Sequence, residues 1–102
     1  AARLEARWQI AVPLESHRAA LLQKVASLGP PPAGSPRDRI ESAWLATQRL
    51  LAALESTNGA INGIDPRQAN SRHFEMNALI DRLVASWEPY IDPSLVRKAR
   101  GR

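Results

Sequence analysis

Prolines, together with the residues before them, divide this 102-residue chain into segments whose patterns predict helices. Pro36 follows Ser35 and Pro66 follows Asp65, and a capping residue before a first-position proline is a typical helix start. Between these signals, apolar residues recur every three or four positions. No segment alternates apolar and polar residues over five or more positions, so strands are not expected. The chain is therefore predicted to be all-α.

The first helical segment is predicted to consist of two pieces. Pro13 lacks the N–H that a helix interior needs, so we expect a kink or a break near residues 10–12. An amphipathic stripe resumes after it, made of Leu14, Arg18, Leu21, Leu22, Val25 and Leu28. Gly29 and the three prolines after it end this helix and begin a stiff connector that runs to Ser35.

The second helix is predicted to start with Ser35 as its cap and to close at Asn58 and Gly59. Its apolar face comprises Ile40, Ala43, Trp44, Thr47, Leu50, Leu51 and Leu54. The stretch from Thr57 to Ile64 contains two Asn-Gly steps, which favour tight turns. We therefore expect a loop there.

The third helix is predicted to start at Asp65 and Pro66 and to end before Pro89. Its buried face comprises Ala69, His73, Met76, Leu79, Ile80, Leu83, Val84 and Trp87. Leu95 and Val96 suggest one more helical turn. Connectors of about seven to nine residues suit antiparallel neighbours. The sequence thus predicts an up-down-up bundle of three main helices, with a kinked N-terminal element and a short C-terminal helical turn.

The charge of the chain is concentrated at its end. There are 14 Lys and Arg against 10 Asp and Glu, for a formal charge of +4. Four of the basic residues fall within the last six positions, namely Arg97, Lys98, Arg100 and Arg102. The rest of the chain is neutral, whereas nucleic-acid-binding folds usually spread Lys and Arg over a face. We predict one bundle domain over residues 1–96 and a basic tail over residues 97–102.

The start of the chain and its composition bear on its origin. It begins Ala1-Ala2-Arg3 without Met, so we expect a processed chain or a fragment of a larger protein. Arginine dominates the basic residues, which suggests a GC-rich bacterial source. The longest apolar runs are too short for a membrane span. The absence of cysteine leaves the compartment open, with the cytoplasm as the working expectation.

No arrangement of catalytic or metal-ligating residues stands out in the sequence. The two histidines, His17 and His73, lack the spacing of a zinc site. His73 is interpreted as a partly buried helix residue with a local hydrogen bond. The glycine pair Gly59 and Gly63 has no phosphate-loop lysine after it. We therefore predict that the protein is not an enzyme, and we infer no cofactor, metal or small-molecule substrate.

Two functional hypotheses remain. The first is a protein–protein interaction or assembly domain, in which a protein partner or a second copy contacts offset apolar residues. That predicted surface comprises Trp8, Ile10, Val12, Trp44 and Leu45. The alternative is a nucleic-acid-associated helical module. Its contacts would be Arg67, Gln68, Asn70, Arg72, Arg97, Lys98, Arg100 and Arg102. An eight-residue connector before the third helix argues against a helix-turn-helix, which needs a shorter turn.

Overall fold

A computed structural model describes the backbone of residues 2–92 and the side chains of residues 12–92. It contains three α-helices: α1 spans Ala2–Ser27, α2 spans Arg37–Ile64 and α3 spans Ala69–Trp87. A single 3-10 turn, Pro66–Gln68, leads into α3. The described residues contain no strand. The all-α prediction is confirmed, while the suggested turn at Leu95 and Val96 lies outside the described residues.

Contacts between side chains fix the direction of each helix. Arg18 of α1 reaches Asn58 of α2 and Glu75 of α3, and one turn away Arg72 of α3 contacts Glu15 of α1. Residue numbers therefore rise together along α1 and α3. They run in opposite directions along α1 and α2, since Trp44 near the start of α2 meets Trp87 at the end of α3. This is the predicted up-down-up order.

The core lies along one face of each helix. Its buried members are Val25, Trp44, Leu51, Ile80, Leu83 and Trp87. At one end of the bundle three aromatic rings stack in series. The centroids of Trp44 and Trp87 are 5.3 Å apart, and those of Trp87 and Tyr90 are 6.2 Å apart in an edge-on arrangement. Trp87 is completely buried, so this aromatic stack joins α2 to the segment that follows α3.

Pro13 lies inside a continuous first helix, so of the predicted kink or break the break is wrong. α1 is one element from Ala2 to Ser27, with Pro13 inside it. A proline in a helix interior removes one backbone hydrogen bond and crowds the preceding turn. α1 nevertheless continues through Pro13.

The predicted loop between Thr57 and Ile64 is also wrong, because α2 continues to Ile64. Thr47, Leu51, Leu54, Asn58 and Ile61 are all buried on one face of α2. Their spacing of three and four residues is that of a continuous helix. Tertiary burial of this stripe therefore overrides the local turn preference of the two Asn-Gly steps.

Of the two predicted capping residues, Asp65 is a cap in the structure and Ser35 is not. Asp65 accepts a hydrogen bond from the Arg67 backbone N–H at 3.2 Å and is a cap, but it caps the 3-10 turn and not α3, which begins at Ala69. Ser35 does not cap α2: its hydroxyl donates to the Pro32 carbonyl at 2.6 Å, and the N-cap position is Pro36. Asp65 and the 3-10 turn form the whole link between α2 and α3.

Gly59 weakens α2 without a structural need for glycine. Gly34 is the residue with a positive φ among those described, and a Cβ added at Gly59 meets no atom within 4 Å. We expect Gly59→Ala to raise the free energy of unfolding by about 0.5–1 kcal/mol, because alanine loses less backbone entropy in a helix. Urea denaturation followed by circular dichroism measures the change. An unchanged or lower stability would contradict the helical assignment of this position.

Candidate functional site

The most elaborate polar feature of the bundle is a pair of arginines shared by all three helices. Arg18 Nε donates to Asn58 Oδ1 at 2.7 Å, and its Nη2 donates to Glu75 Oε2 at 2.6 Å. Four residues further along α2, Asn62 Oδ1 accepts from Arg72 Nε at 2.6 Å. Each arginine thus crosses between α1 and α3 while binding an asparagine of α2.

Arg72 is the more deeply buried of the two. Its side chain is 6% exposed, and besides Asn62 it donates to the Asp65 carbonyl at 2.9 Å. Its Nη1 lies 3.5 Å from Glu15 Oε1, whose side chain is about half exposed. A buried charge is tolerated when it is paired and hydrogen-bonded. The arginine network, defined as Arg18, Arg72 and their partners, therefore fixes the register of the three helices at this level.

A groove of about 250 Å³ opens between α2 and α3, and no α1 residue lines it. It is lined by Glu55, Asn58, Gly59, Asn62, His73, Met76, Asn77 and Ile80. We call it the amide groove, because three asparagines line it. His73 is exposed rather than partly buried as predicted, and its Nε2 lies 3.2 Å from Asn77 Nδ2, which is the predicted local hydrogen bond.

A second groove of about 260 Å³ lies between α1 and α3. It is lined mainly by carbon, from Val25, Ala26, Gly29, Pro30, Leu79, Arg82, Leu83 and Ser86. Residues 12–92 contain no cluster of three or more His, Cys, Asp or Glu arranged to hold a metal ion. The polar groups that the helices do bring together are those of the arginine network and the amide groove.

Three residues of the predicted interaction surface, Val12, Trp44 and Leu45, have described side chains, and these three do not form one patch. Trp44 is only 8% exposed and belongs to the core. Val12 and Leu45 are 45% and 46% exposed, but the contact of Arg18 with Asn58 sets them about 28 Å apart along the bundle at 1.5 Å per residue. The side chains of Trp8 and Ile10 lie outside the described residues. Any surface at Val12 is therefore separate from one at Leu45.

The first part of α1 extends beyond the rest of the bundle. With Arg18 level with Asn58, Val12 is level with Ile64, where α2 ends, and near Ala69, where α3 begins. The ten helical residues 2–11 continue for about another 15 Å. The dimensions agree, because the molecule is 57 Å long whereas the 28 residues of α2 account for about 42 Å. We call residues 2–11 the α1 extension.

The predicted nucleic-acid contacts also differ in their exposure. Arg67, Gln68 and Asn70 are exposed at the start of α3, but Arg72 is buried in the arginine network. The four basic residues of the tail lie outside the described residues. The predicted eight-residue connector is wrong, because only Asp65 and the 3-10 turn link α2 to α3. The length of the link therefore does not exclude a helix-turn-helix. The antiparallel packing of α2 and α3 is nevertheless unlike the crossing of that motif.

Asp65 and Arg67 form a local ion pair at the start of the 3-10 turn. Arg67 Nε lies 3.1 Å from Asp65 Oδ1. The side-chain and backbone hydrogen bonds from Arg67 lower the pKa of the Asp65 carboxyl below its ordinary value. The same pairing raises the pKa of the Arg67 guanidinium. Arg67 therefore already has a counter-ion, which reduces its availability for a phosphate.

No role was predicted from the sequence for Phe74, an exposed aromatic residue. Phe74 is 78% exposed on α3, and its offset from the apolar stripe of that helix was the available signal. It lies one helical turn before Ala78, and no described ring stacks on it. A lone exposed phenylalanine does not define a surface.

The fold and these surfaces define an all-α, three-helix bundle held together by a buried arginine network. No family model matches the chain, and the searches of curated proteins and of solved structures gave no match. No helix in the described part of the chain is long and apolar enough to cross a membrane.

Proposed function

We propose that this protein is a non-catalytic assembly module that associates with a second copy of itself through the α1 extension. The observation that carries the proposal is the length of α1 past the ends of α2 and α3. Isolated helices of fewer than about 12–15 residues are marginal in water, and packing of an apolar face supplies most helical stability in proteins. A helical segment that extends past both other helices of its bundle is therefore well suited to pack on another molecule.

The sequence of the extension favours a second copy as that neighbour. It contains Leu4, Trp8 and Ala11 at helical spacing, and charges of both signs. In an antiparallel pair centred on Ala6, Glu5 of each copy is level with Arg7 of the other. Such a two-fold contact is self-complementary, as homodimer interfaces are. Two segments of this length bury less area than a standard interface, so we expect the dimer to form in a concentration-dependent way.

Light scattering against concentration tests this proposal. We expect the mass to rise from that of the 11.2 kDa chain toward twice that value. Trp8→Glu should keep the protein monomeric, because it places a charge in the apolar segment. The matched control is Leu45→Glu, an exposed leucine at the other end of the bundle, which should dimerise like the unmodified chain. A monomer at all concentrations, or dimers that Trp8→Glu leaves intact, would contradict the proposal.

The nucleic-acid alternative has less support. Arg72 is committed to the arginine network and Arg67 to Asp65. Residues 12–92 carry eight Lys and Arg against nine Asp and Glu, so this part is not basic. The alternative therefore depends on the basic tail. Real phosphate contacts give a steep loss of affinity with salt, and removal of residues 97–102 should then abolish duplex binding.

A further inference from the structure

We propose that the amide groove binds a short peptide segment in extended conformation, through the side-chain amides of Asn58 and Asn62. This binding is independent of self-association through the α1 extension. The groove lies between α2 and α3, and it contains a buried asparagine whose amide nitrogen has no partner among the described residues.

The arginine network determines which way the two asparagines point. An arginine only donates hydrogen bonds, so the oxygens of Asn58 and Asn62 must face Arg18 and Arg72. Their NH₂ groups are therefore turned away from the arginines. Both residues line the amide groove, and Asn58 is more than nine-tenths buried. The hydrogen bonds of the described residues use the oxygens of Asn58 and Asn62 but neither NH₂ group. Neither nitrogen is a fully enclosed polar atom without a partner, so both NH₂ groups are accessible where the two residues line the groove.

The spacing of these donors matches an extended backbone. Asn58 and Asn62 are one helical turn apart, which is about 6 Å along α2. Alternate carbonyl groups of an extended chain point to the same side and are about 7 Å apart. The α2 wall from Glu55 to Asn62 is about 10 Å long. It therefore accommodates about three peptide residues, with two carbonyls accepting from the two asparagines.

The other groups in the groove favour particular features of the peptide. Met76 and Ile80 supply apolar surface from α3. The Glu55 carboxylate at one end favours a cationic side chain there and disfavours an acidic one. Gly59 leaves the α2 wall open, because a Cβ at that position would meet nothing within 4 Å. A peptide with one lysine followed by small residues fits this combination of groups.

The probe for this proposal is acetyl-Lys-Ala-Ala-amide at millimolar concentration, followed by nitrogen–proton NMR spectra of the labelled protein. We expect saturable shifts of the side-chain NH₂ signals of Asn58 and Asn62. The matched probe acetyl-Glu-Ala-Ala-amide should bind roughly tenfold more weakly. Absence of shifts with the lysine peptide, or equal binding of both peptides, would overturn the proposal.

Two variants of α2 test the location of the binding. Gly59→Leu should fill the groove and weaken binding of the lysine peptide roughly tenfold or more. Because the substitution removes a glycine from the interior of α2, it should not destabilise the helix. Ala60→Leu is the matched control, because Ala60 is an exposed neighbour that does not line the groove. It should bind like the unmodified protein. Equal binding by the Gly59→Leu variant, with its fold verified by the same spectra, would contradict this site.

Discussion

Replacement of Trp87 by alanine should lower the free energy of unfolding by about 3–5 kcal/mol. Trp87 is completely buried, and its ring contacts both Trp44 and Tyr90. Its removal leaves a cavity at the centre of the aromatic stack and separates α2 from the segment after α3. Chemical denaturation followed by circular dichroism measures this loss. A change below about 1 kcal/mol would show that the aromatic stack is not part of the folded core.

Trp87→Phe separates the loss of the ring from the loss of the indole N–H. The N–H of Trp87 has no acceptor among the described residues, so its removal relieves the cost of an unsatisfied buried donor. Phenylalanine also keeps an aromatic ring against Trp44. We therefore expect this variant to remain folded and to lose clearly less stability than Trp87→Ala. An equal loss in the two variants would contradict the role given to the ring contacts.

Replacement of Arg72 by methionine should cost about 2–4 kcal/mol of folding free energy. Methionine keeps much of the apolar stem but leaves Asn62 Oδ1 and the Asp65 carbonyl without their donor. Both acceptors are partly buried, and an acceptor that loses its hydrogen bond in such a position costs about 1–3 kcal/mol. Glu15 is half exposed and returns to water at little cost. Denaturant titration of the purified variant provides the measurement.

The matched control for Arg72→Met is Arg67→Met, the same substitution five residues earlier. Arg67 is exposed, so solvent screens its ion pair with Asp65 and the pair contributes little to stability. The control should therefore unfold at nearly the same denaturant concentration as the unmodified protein. If the two variants were equally stable, Arg72 would not hold the helices in register.

The helices themselves could be predicted from the sequence, because periodicity and proline placement report directly on local structure. The error in the length of α2 arose where a strong local signal met a tertiary requirement. The Asn-Gly steps at Asn58 and Asn62 predicted a turn, yet the stripe through Leu54, Asn58 and Ile61 continues the buried face. That continuing stripe was the signal that could have extended α2. At Pro13 the sequence predicted a kink or a break, and α1 is not broken there.

The arginine network could not be predicted in the same way. Arg18 stood within the apolar stripe of the first helix, and this was the one sequence hint that it turns inward. Arg72 looked like an exposed residue in the first turn of a helix. Its burial depends on Asn62 and Asp65 being brought beside it by the short link between α2 and α3. Such an arrangement follows from helix packing and is not encoded in the spacing of one segment.

The most direct test of self-association is a distance measured between two copies. The chain has no cysteine, so Gln9→Cys gives a single attachment site for a spin label in the α1 extension. Pulsed dipolar electron paramagnetic resonance should show a short distance between the labels of two copies in the concentrated protein. The same label at Arg39→Cys, an exposed site at the far end of the bundle, should show none. A short distance at Arg39 alone, or at neither site, would contradict assembly through the α1 extension.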